Sequence, residues 1–251
     1  MRHFDETIPM EETYYVGAYW LARKESASAC APRFERFLGL LSHCDPTFSQ
    51  WFKKGRTREA ALEHRFASDA DGIATFFNQQ SQEDGRRETN GWTAHLWNGQ
   101  PDGAASGLAI HCGDASPRLP NSCLLYPPEA PPVAARVLRA PPLASILRAM
   151  VLAWEPEWGI ATSHEHRDSV TESGEAGTFV GWLTYFSHRR GALPPLPPSV
   201  QLESVEDLGT LVLLTPERFT LANPTHVELA REVSERLAQV GLLSPLRPGA
   251  S

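Results

Sequence analysis

The chain has 251 residues, of which 41% are hydrophobic and 21% are charged, and its formal net charge is −7. A chain of this length and composition buries a substantial core, which excludes a protein that is disordered throughout. The acidic balance argues against a primary nucleic-acid-binding protein, because such proteins carry a basic surface that contacts phosphates.

No segment resembles a targeting or membrane signal. The first twelve residues lack the apolar core of a signal peptide, and no run of 18 apolar residues occurs. The four cysteines form no CxxC pair and no zinc-type spacing. We therefore expect a cytoplasmic protein with reduced thiols, no membrane association, and no metal or cofactor.

The first predicted element is an aromatic strand over about 12–21. Its large residues are Tyr14, Tyr15, Tyr19 and Trp20, with Gly17 between them. Aromatic side chains favour a pleated, half-buried surface, and a glycine in such a run suggests a bulge or a close backbone approach. A helix follows to about Ser42. It begins at Glu25 or Ser26, or near Ala31 if Pro32 lies in its first turn.

Later elements are assigned from helical periodicity, strand-type composition and turn residues. In chain order, these are a helix at 57–66, an exposed loop at 79–90, strands at 91–97, 106–112 and 122–126, a proline-rich linker or surface loop at 127–142, a helix at 143–154, an extended segment at 158–161, strands at 178–186 and 208–215, and a helix from Asn223 to Val240. This order predicts an α+β fold in which a mostly antiparallel sheet packs with several helices.

The proline-rich segment raises the question of domain number. We predict a single domain over residues 1–251, with two halves of about 1–130 and 140–251 as the alternative. No internal repeat supports a duplication.

No catalytic signature occurs: the sequence lacks GxSxG, GxGxxG and Walker A patterns. The triplet His164–Glu165–His166 is the one candidate metal site, because two histidines at i and i+2 on a strand share a face, and Asp168 lies close by. A solvated polar loop explains the same residues, since 155–175 contains six carboxylates. We predict no catalytic or metal-binding residues and no enzyme, with a metal-dependent hydrolase using His164, His166 and Asp168 as the alternative.

Two segments, 14–52 and 180–237, carry a resemblance to a known family. Its residues are Gly17, Tyr19, Trp20, Arg23, Glu25, Asp45, Trp51, Gly181, Trp182, Tyr185, Gly209 and Thr210. Together the segments resemble the Immunity protein 52 family of bacterial polymorphic toxin systems. The resemblance implies an α+β protein that binds and neutralises a cognate toxin encoded by a neighbouring gene. The usual toxin is a restriction-endonuclease-like nuclease, often delivered by type VI secretion, and the family implies no catalytic residues.

For such a toxin, charge suggests where contact occurs. A nuclease needs a basic surface for phosphates, so acidic segments are the first candidates for its inhibitor. Trp158 is included because it lies at the end of an element, and exposed tryptophan is enriched in interfaces. The predicted contact residues are Glu155, Glu157, Trp158, Glu165, Asp168 and Glu172, followed by Asp84 and Glu88 in the exposed loop.

Overall fold

The structure is a computed structural model that describes residues 12–83 and 90–246. Within these residues, nine strands and seven helices are formed. The strands are β1 (Tyr14–Trp20), β2 (Phe52–Lys53), β3 (Trp92–Trp97), β4 (Gly107–Cys112), β5 (Asn121–Tyr126), β6 (Trp158–Ser163), β7 (Leu183–Ser187), β8 (Gln201–Val205) and β9 (Gly209–Leu213). The helices are α1 (Ala27–Cys44), α2 (Arg58–Leu62), α3 (Ala70–Glu83), α4 (Val133–Val137), α5 (Ala140–Trp154), α6 (His164–Val170) and α7 (Pro224–Gln239).

All nine strands belong to one sheet in the order β2-β3-β4-β5-β1-β6-β7-β9-β8. Every neighbouring pair is antiparallel. The predicted α+β class with an antiparallel sheet is therefore confirmed. The aromatic strand β1 lies between β5 and β6, so strands from both sides of the proline-rich segment pair directly, which supports the proposal of one domain.

The main core lies between one face of the sheet and the helices α1, α3 and α5. Trp154 of α5 stacks on Trp20 of β1 with ring centroids 5.1 Å apart. Phe34 of α1 is fully buried and contacts Phe66, Phe77 and Trp154 at 5.7, 6.2 and 6.2 Å. Aromatic contacts thus join the three helices to each other and to the centre of the sheet.

Side chains at the helix ends explain where the predicted helices begin. The Ser26 hydroxyl accepts a hydrogen bond from the Ala29 amide at 3.2 Å, so α1 starts at Ala27 and Pro32 lies inside it. Asn223 caps α7 in the same way, accepting from the Thr225 amide at 3.1 Å, and Pro224 occupies the first helical position. Both are standard N-terminal caps.

Several predicted boundaries are wrong. The helix at 57–66 is shorter, Arg58–Leu62, and the strand at 178–186 is confined to Leu183–Ser187. The predicted loop at 79–90 is helical up to Glu83, because α3, which the sequence analysis missed, continues there. The segment 127–142 contains α4 and the start of α5, whose prolines lie in the first turn, where a missing amide costs no helical hydrogen bond.

Two further differences concern the last quarter of the chain. The edge strand β8 was missed because four of its five residues are exposed and give no apolar pattern. The sequence predicts an apolar stripe on the last helix, made of Val227, Ala230, Val233, Leu237 and Val240. Ala230, Val233 and Leu237 are buried, as is His226, whereas Val240 follows the last residue of α7 and is 52% exposed.

Among the helices of residues 12–83 and 90–246, none combines the length and apolar character needed to cross a membrane.

Candidate functional site

The acidic stretch 155–175 does not form one loop or one surface. It contains β6 and α6, and β6 separates its carboxylates into a pair at 155 and 157 and a second group at 165–175. A strand of six residues spans about 17–20 Å. The alternative of a solvated polar loop around His164–His166 is therefore wrong, because these residues begin α6, and the two acidic groups face different surroundings.

The first acidic pair is engaged within the protein. Glu155 accepts a hydrogen bond from Arg33 Nη1 at 3.1 Å. Glu157 pairs with Arg189 at 3.2 Å and also accepts from the Leu21 amide at 3.1 Å. These carboxylates therefore stabilise the junction between β1, α1 and the end of α5.

Trp158 is buried, with 1% of its surface exposed, so its predicted exposure is wrong. As the first residue of β6 it lies opposite Tyr19 of β1. Its ring packs against Tyr19 at 5.5 Å and against Phe179 at 5.4 Å. The indole belongs to the core and does not reach a partner's surface.

The His164–Glu165–His166 triplet begins a helix and not a strand, because Ser163 caps α6 by accepting from the His166 amide. His166 is buried, its Nε2 lies 2.9 Å from the Val180 carbonyl, and burial lowers its pKa. Asp168 instead accepts from Arg167 Nε at 2.7 Å. The described part of the chain contains no group of three or more side chains placed to hold a metal ion.

The remaining predicted contact residues lie in different environments. Glu165 accepts hydrogen bonds from the Thr13 amide and hydroxyl at 2.9 and 3.0 Å, so it anchors the segment before β1. The Asp168 side chain is 63% exposed. Glu172 is also exposed, whereas Asp84 and Glu88 lie outside the described residues.

A different surface emerges on the side of the sheet opposite α1, α3 and α5. Along β3, β4 and β5, buried residues alternate with half-buried or exposed ones. The buried set faces the helices, as Trp92 does in its contact with Phe77. The other set defines the open face, whose residues are Thr93, His95, Trp97, Gly107, Ala109, His111, Ser122, Leu124 and Tyr126.

One end of the open face carries a row of rings, which we call the aromatic band: Trp97, Tyr126, His164 and Tyr15. Tyr126 is 40% exposed and lies 6.4 Å from the His164 ring, which stacks on Tyr15 at 4.7 Å. Trp97 and His164 are partly buried, whereas Tyr15 is 4% exposed and supports the His164 ring from below. Tyrosine and tryptophan are enriched in interaction hot spots. The aromatic band is therefore the strongest candidate contact surface on the described residues.

Charged groups border this band. The guanidinium of Arg167 lies over the Tyr15 ring at 5.9 Å and is paired with Asp168. Burial, followed by the charge of Arg167, lowers the pKa of His164. The His164 ring of the aromatic band is therefore neutral at neutral pH, which favours stacking over ion pairing.

The aromatic band was not predicted because its members come from β1, β3, β5 and α6. Only the strand register, Trp97 opposite Gly107 and Gly107 opposite Tyr126, places Trp97 and Tyr126 on the same face, two strands apart with a glycine between them. The available signal was the alternation of Trp92, Ala94 and Leu96 with Thr93, His95 and Trp97 along the predicted strand 91–97. It predicted two faces for that strand but could not identify the neighbours of the outer one.

Residues that carry the family resemblance have structural roles. Glu25 pairs with Arg23 at 2.9 Å and with Arg33 at 3.2 Å, below the end of α5. A Cβ atom on Gly209 would lie 2.2 Å from the Phe186 carbonyl oxygen, so only glycine fits there. Glu25 and Gly209 thus stabilise the packing of α1 and the sheet.

The sequence model of the Immunity protein 52 family matches residues 12–246. Among solved structures, the chain resembles the Pseudomonas aeruginosa T6SS protein PA0821 with a TM-score of 0.55 and 10% sequence identity. That alignment covers 95% of this chain and 76% of the other, and at this identity it shows a shared fold. No curated protein sequence matches the chain significantly. The match over nearly all of the described residues shows that the chain belongs to the Immunity protein 52 family.

Proposed function

We propose that this protein is an immunity protein that binds and inactivates a nuclease toxin of the restriction-endonuclease-like class in the cytoplasm of the producing cell. The family match over residues 12–246 carries the proposal. The nuclease class comes from the toxins usually encoded beside members of this family. We include delivery by type VI secretion in the proposal, because the family resemblance implies it and the structural neighbour is described as a T6SS protein.

The surface and the net charge of the molecule support a function in which it binds another protein. The open face and its aromatic band offer rings fixed by stacking, as in protein interfaces of high affinity. The net charge of −7 complements the basic surface that a nuclease needs for phosphates. Opposite charges accelerate association, which matters when the free toxin is lethal.

Inhibition takes one of two forms under this proposal. The protein either covers the toxin's active-site cleft, where its carboxylates replace the phosphates of the substrate, or binds a distal face and blocks substrate entry. A competition experiment separates them: occlusion of the cleft makes this protein and a DNA or RNA substrate mutually exclusive on the toxin, whereas distal binding allows a ternary complex.

The proposal is tested by expressing the neighbouring gene's toxin domain in a heterologous bacterium, with and without this protein. We expect growth to stop with the toxin alone and to recover when this protein is present. An inactive toxin variant controls for the burden of expression. Continued killing in cells that contain soluble, folded immunity protein would contradict the proposal.

A further inference from the structure

We propose that the cleft between Trp97 and Tyr126 binds a basic side chain of the toxin, with arginine preferred. This inference rests on the proposed function and adds the chemistry by which one part of the open face recognises its partner. The cleft has a volume of about 380 Å³. Its lining residues include Trp97, Gly107, Tyr126, Asp102 and Glu129.

Glycine creates the floor of the cleft. Gly107 lies between Trp97 of β3 and Tyr126 of β5 in the strand register, and both neighbours carry large rings. A Cβ atom at Gly107 would lie 3.4 Å from Tyr126 Cδ2, so any longer side chain would project into the space beside that ring. The absence of a side chain at this position therefore leaves room for one from another molecule.

The lining chemistry matches a cation. Asp102 and Glu129 are exposed carboxylates at the rim, and among residues 12–83 and 90–246 no lysine or arginine lines the cleft. Aromatic faces attract guanidinium and ammonium groups, most strongly where the site is partly desolvated. Carboxylates bind guanidinium through paired, charge-assisted hydrogen bonds, which an ammonium cannot reproduce. Two rings and two carboxylates therefore favour arginine over an apolar or acidic side chain.

The wall formed by residues 98–106 is fixed before a partner arrives. Asn98 is buried, and its Oδ1 accepts from the Ser106 amide at 2.8 Å. Its Nδ2 donates to the Ala104 carbonyl at 3.3 Å. The Gly103 carbonyl then accepts from the amides of Glu129 and Ala130 at 3.1 and 2.9 Å, which joins the two rims. A cleft held in this way loses little conformational entropy when it binds.

The same surface already holds guanidinium groups from its own chain. Arg58 lies over the Trp97 ring at 6.0 Å while its Nη2 donates to the Gly99 carbonyl at 3.3 Å. At the other end of the aromatic band, Arg167 lies over Tyr15. Rings of the aromatic band thus act as cation acceptors within the protein, and the cleft offers a further position of that kind.

The test measures the dissociation constant between this protein and the toxin domain of the neighbouring gene. Gly107→Val fills the cleft with a residue that suits a strand, and Asp102→Asn combined with Glu129→Gln removes both charges without changing size. We expect each variant to bind at least tenfold more weakly than the wild type. The charge-matched control is Glu35→Gln combined with Asp207→Asn, which alters two exposed carboxylates elsewhere and should bind within twofold of the wild type.

A scan of the toxin's arginines and lysines completes the experiment. One toxin variant should lose as much affinity as the Asp102→Asn/Glu129→Gln protein, and combining the two should cost little more, because both remove the same contact. If the wild type binds and the cleft variants, with unchanged melting temperatures, bind equally well, the inference is overturned while the proposed function stands. If the wild type itself does not bind the toxin, the proposed function fails.

Discussion

Asp45 shows how one charged side chain fixes a junction in this fold. It is 5% exposed and accepts hydrogen bonds from Arg136 Nε and Nη2 at 2.5 and 2.8 Å, which ties the end of α1 to α4. It also accepts from the Thr47 amide at 2.9 Å. The bonds from Arg136 lower the pKa of this carboxyl below its usual value of 3.8. Asp45 is therefore ionised in the folded protein at neutral pH.

This pairing predicts a pH-dependent stability. Because the folded-state pKa of Asp45 lies below the unfolded one, the stabilisation is complete well above pH 3.8 and is lost as the pH falls through the folded pKa. Urea unfolding of the wild type and of Asp45→Asn, measured between about pH 2.5 and 7, should give curves that differ most at neutral pH and converge in acid. A difference that stays constant over this range would contradict the assignment.

At the level of elements, the helix layer depends on Phe34. This fully buried ring of α1 contacts rings from three other parts of the chain, including Phe77 of α3 and Trp154 of α5. Removing it leaves a cavity that the surrounding helices cannot fill without moving. Truncating Phe34 therefore affects the packing of α3 and α5 as well as that of α1.

We predict that Phe34→Ala lowers the free energy of unfolding by about 3–5 kcal/mol, the usual cost of truncating a buried phenylalanine. The matched control is Leu202→Ala on the edge strand β8, where the side chain is 52% exposed. That change should alter stability by about 0.5 kcal/mol or less. Chemical denaturation measures both values, and equal effects would show that α1 does not organise the core.

Sequence predicted elements well where periodicity and end signals agreed. The helix from Asn223 has an apolar stripe, an asparagine cap and a proline at its first position, and it is present over Pro224–Gln239. The helix α3 was missed because a mostly polar segment gains its stability from two buried side chains, Ile73 and Phe77, that pack on α1. The aromatic band could not be predicted, since it depends on long-range strand register and on the turn from β6 into α6.

For the whole molecule, charge governs the encounter with a partner. Asp168 is an exposed carboxylate of α6, paired with Arg167 beside the aromatic band. Glu228 on α7 is an equally exposed carboxylate, paired with Arg231. The two residues have the same charge and a similar local partner, but only Asp168 borders the proposed contact surface.

We expect Asp168→Lys to slow association with the toxin several-fold at low salt, since it reverses a charge next to the interface. Glu228→Lys changes the net charge equally and should have a smaller effect. Association rates measured at increasing salt should converge as screening removes the difference. Equal effects of the two substitutions would place the contact surface elsewhere.

Under the proposed function this chain acts by occupying a toxin, and we propose that one molecule inactivates one toxin molecule. Its most direct test is a titration of the purified toxin's nuclease activity with the purified protein. We expect a linear loss of activity that ends at an equimolar ratio, with the wild type far more effective than Gly107→Val. Residual activity that persists at a large molar excess of folded wild-type protein would contradict it.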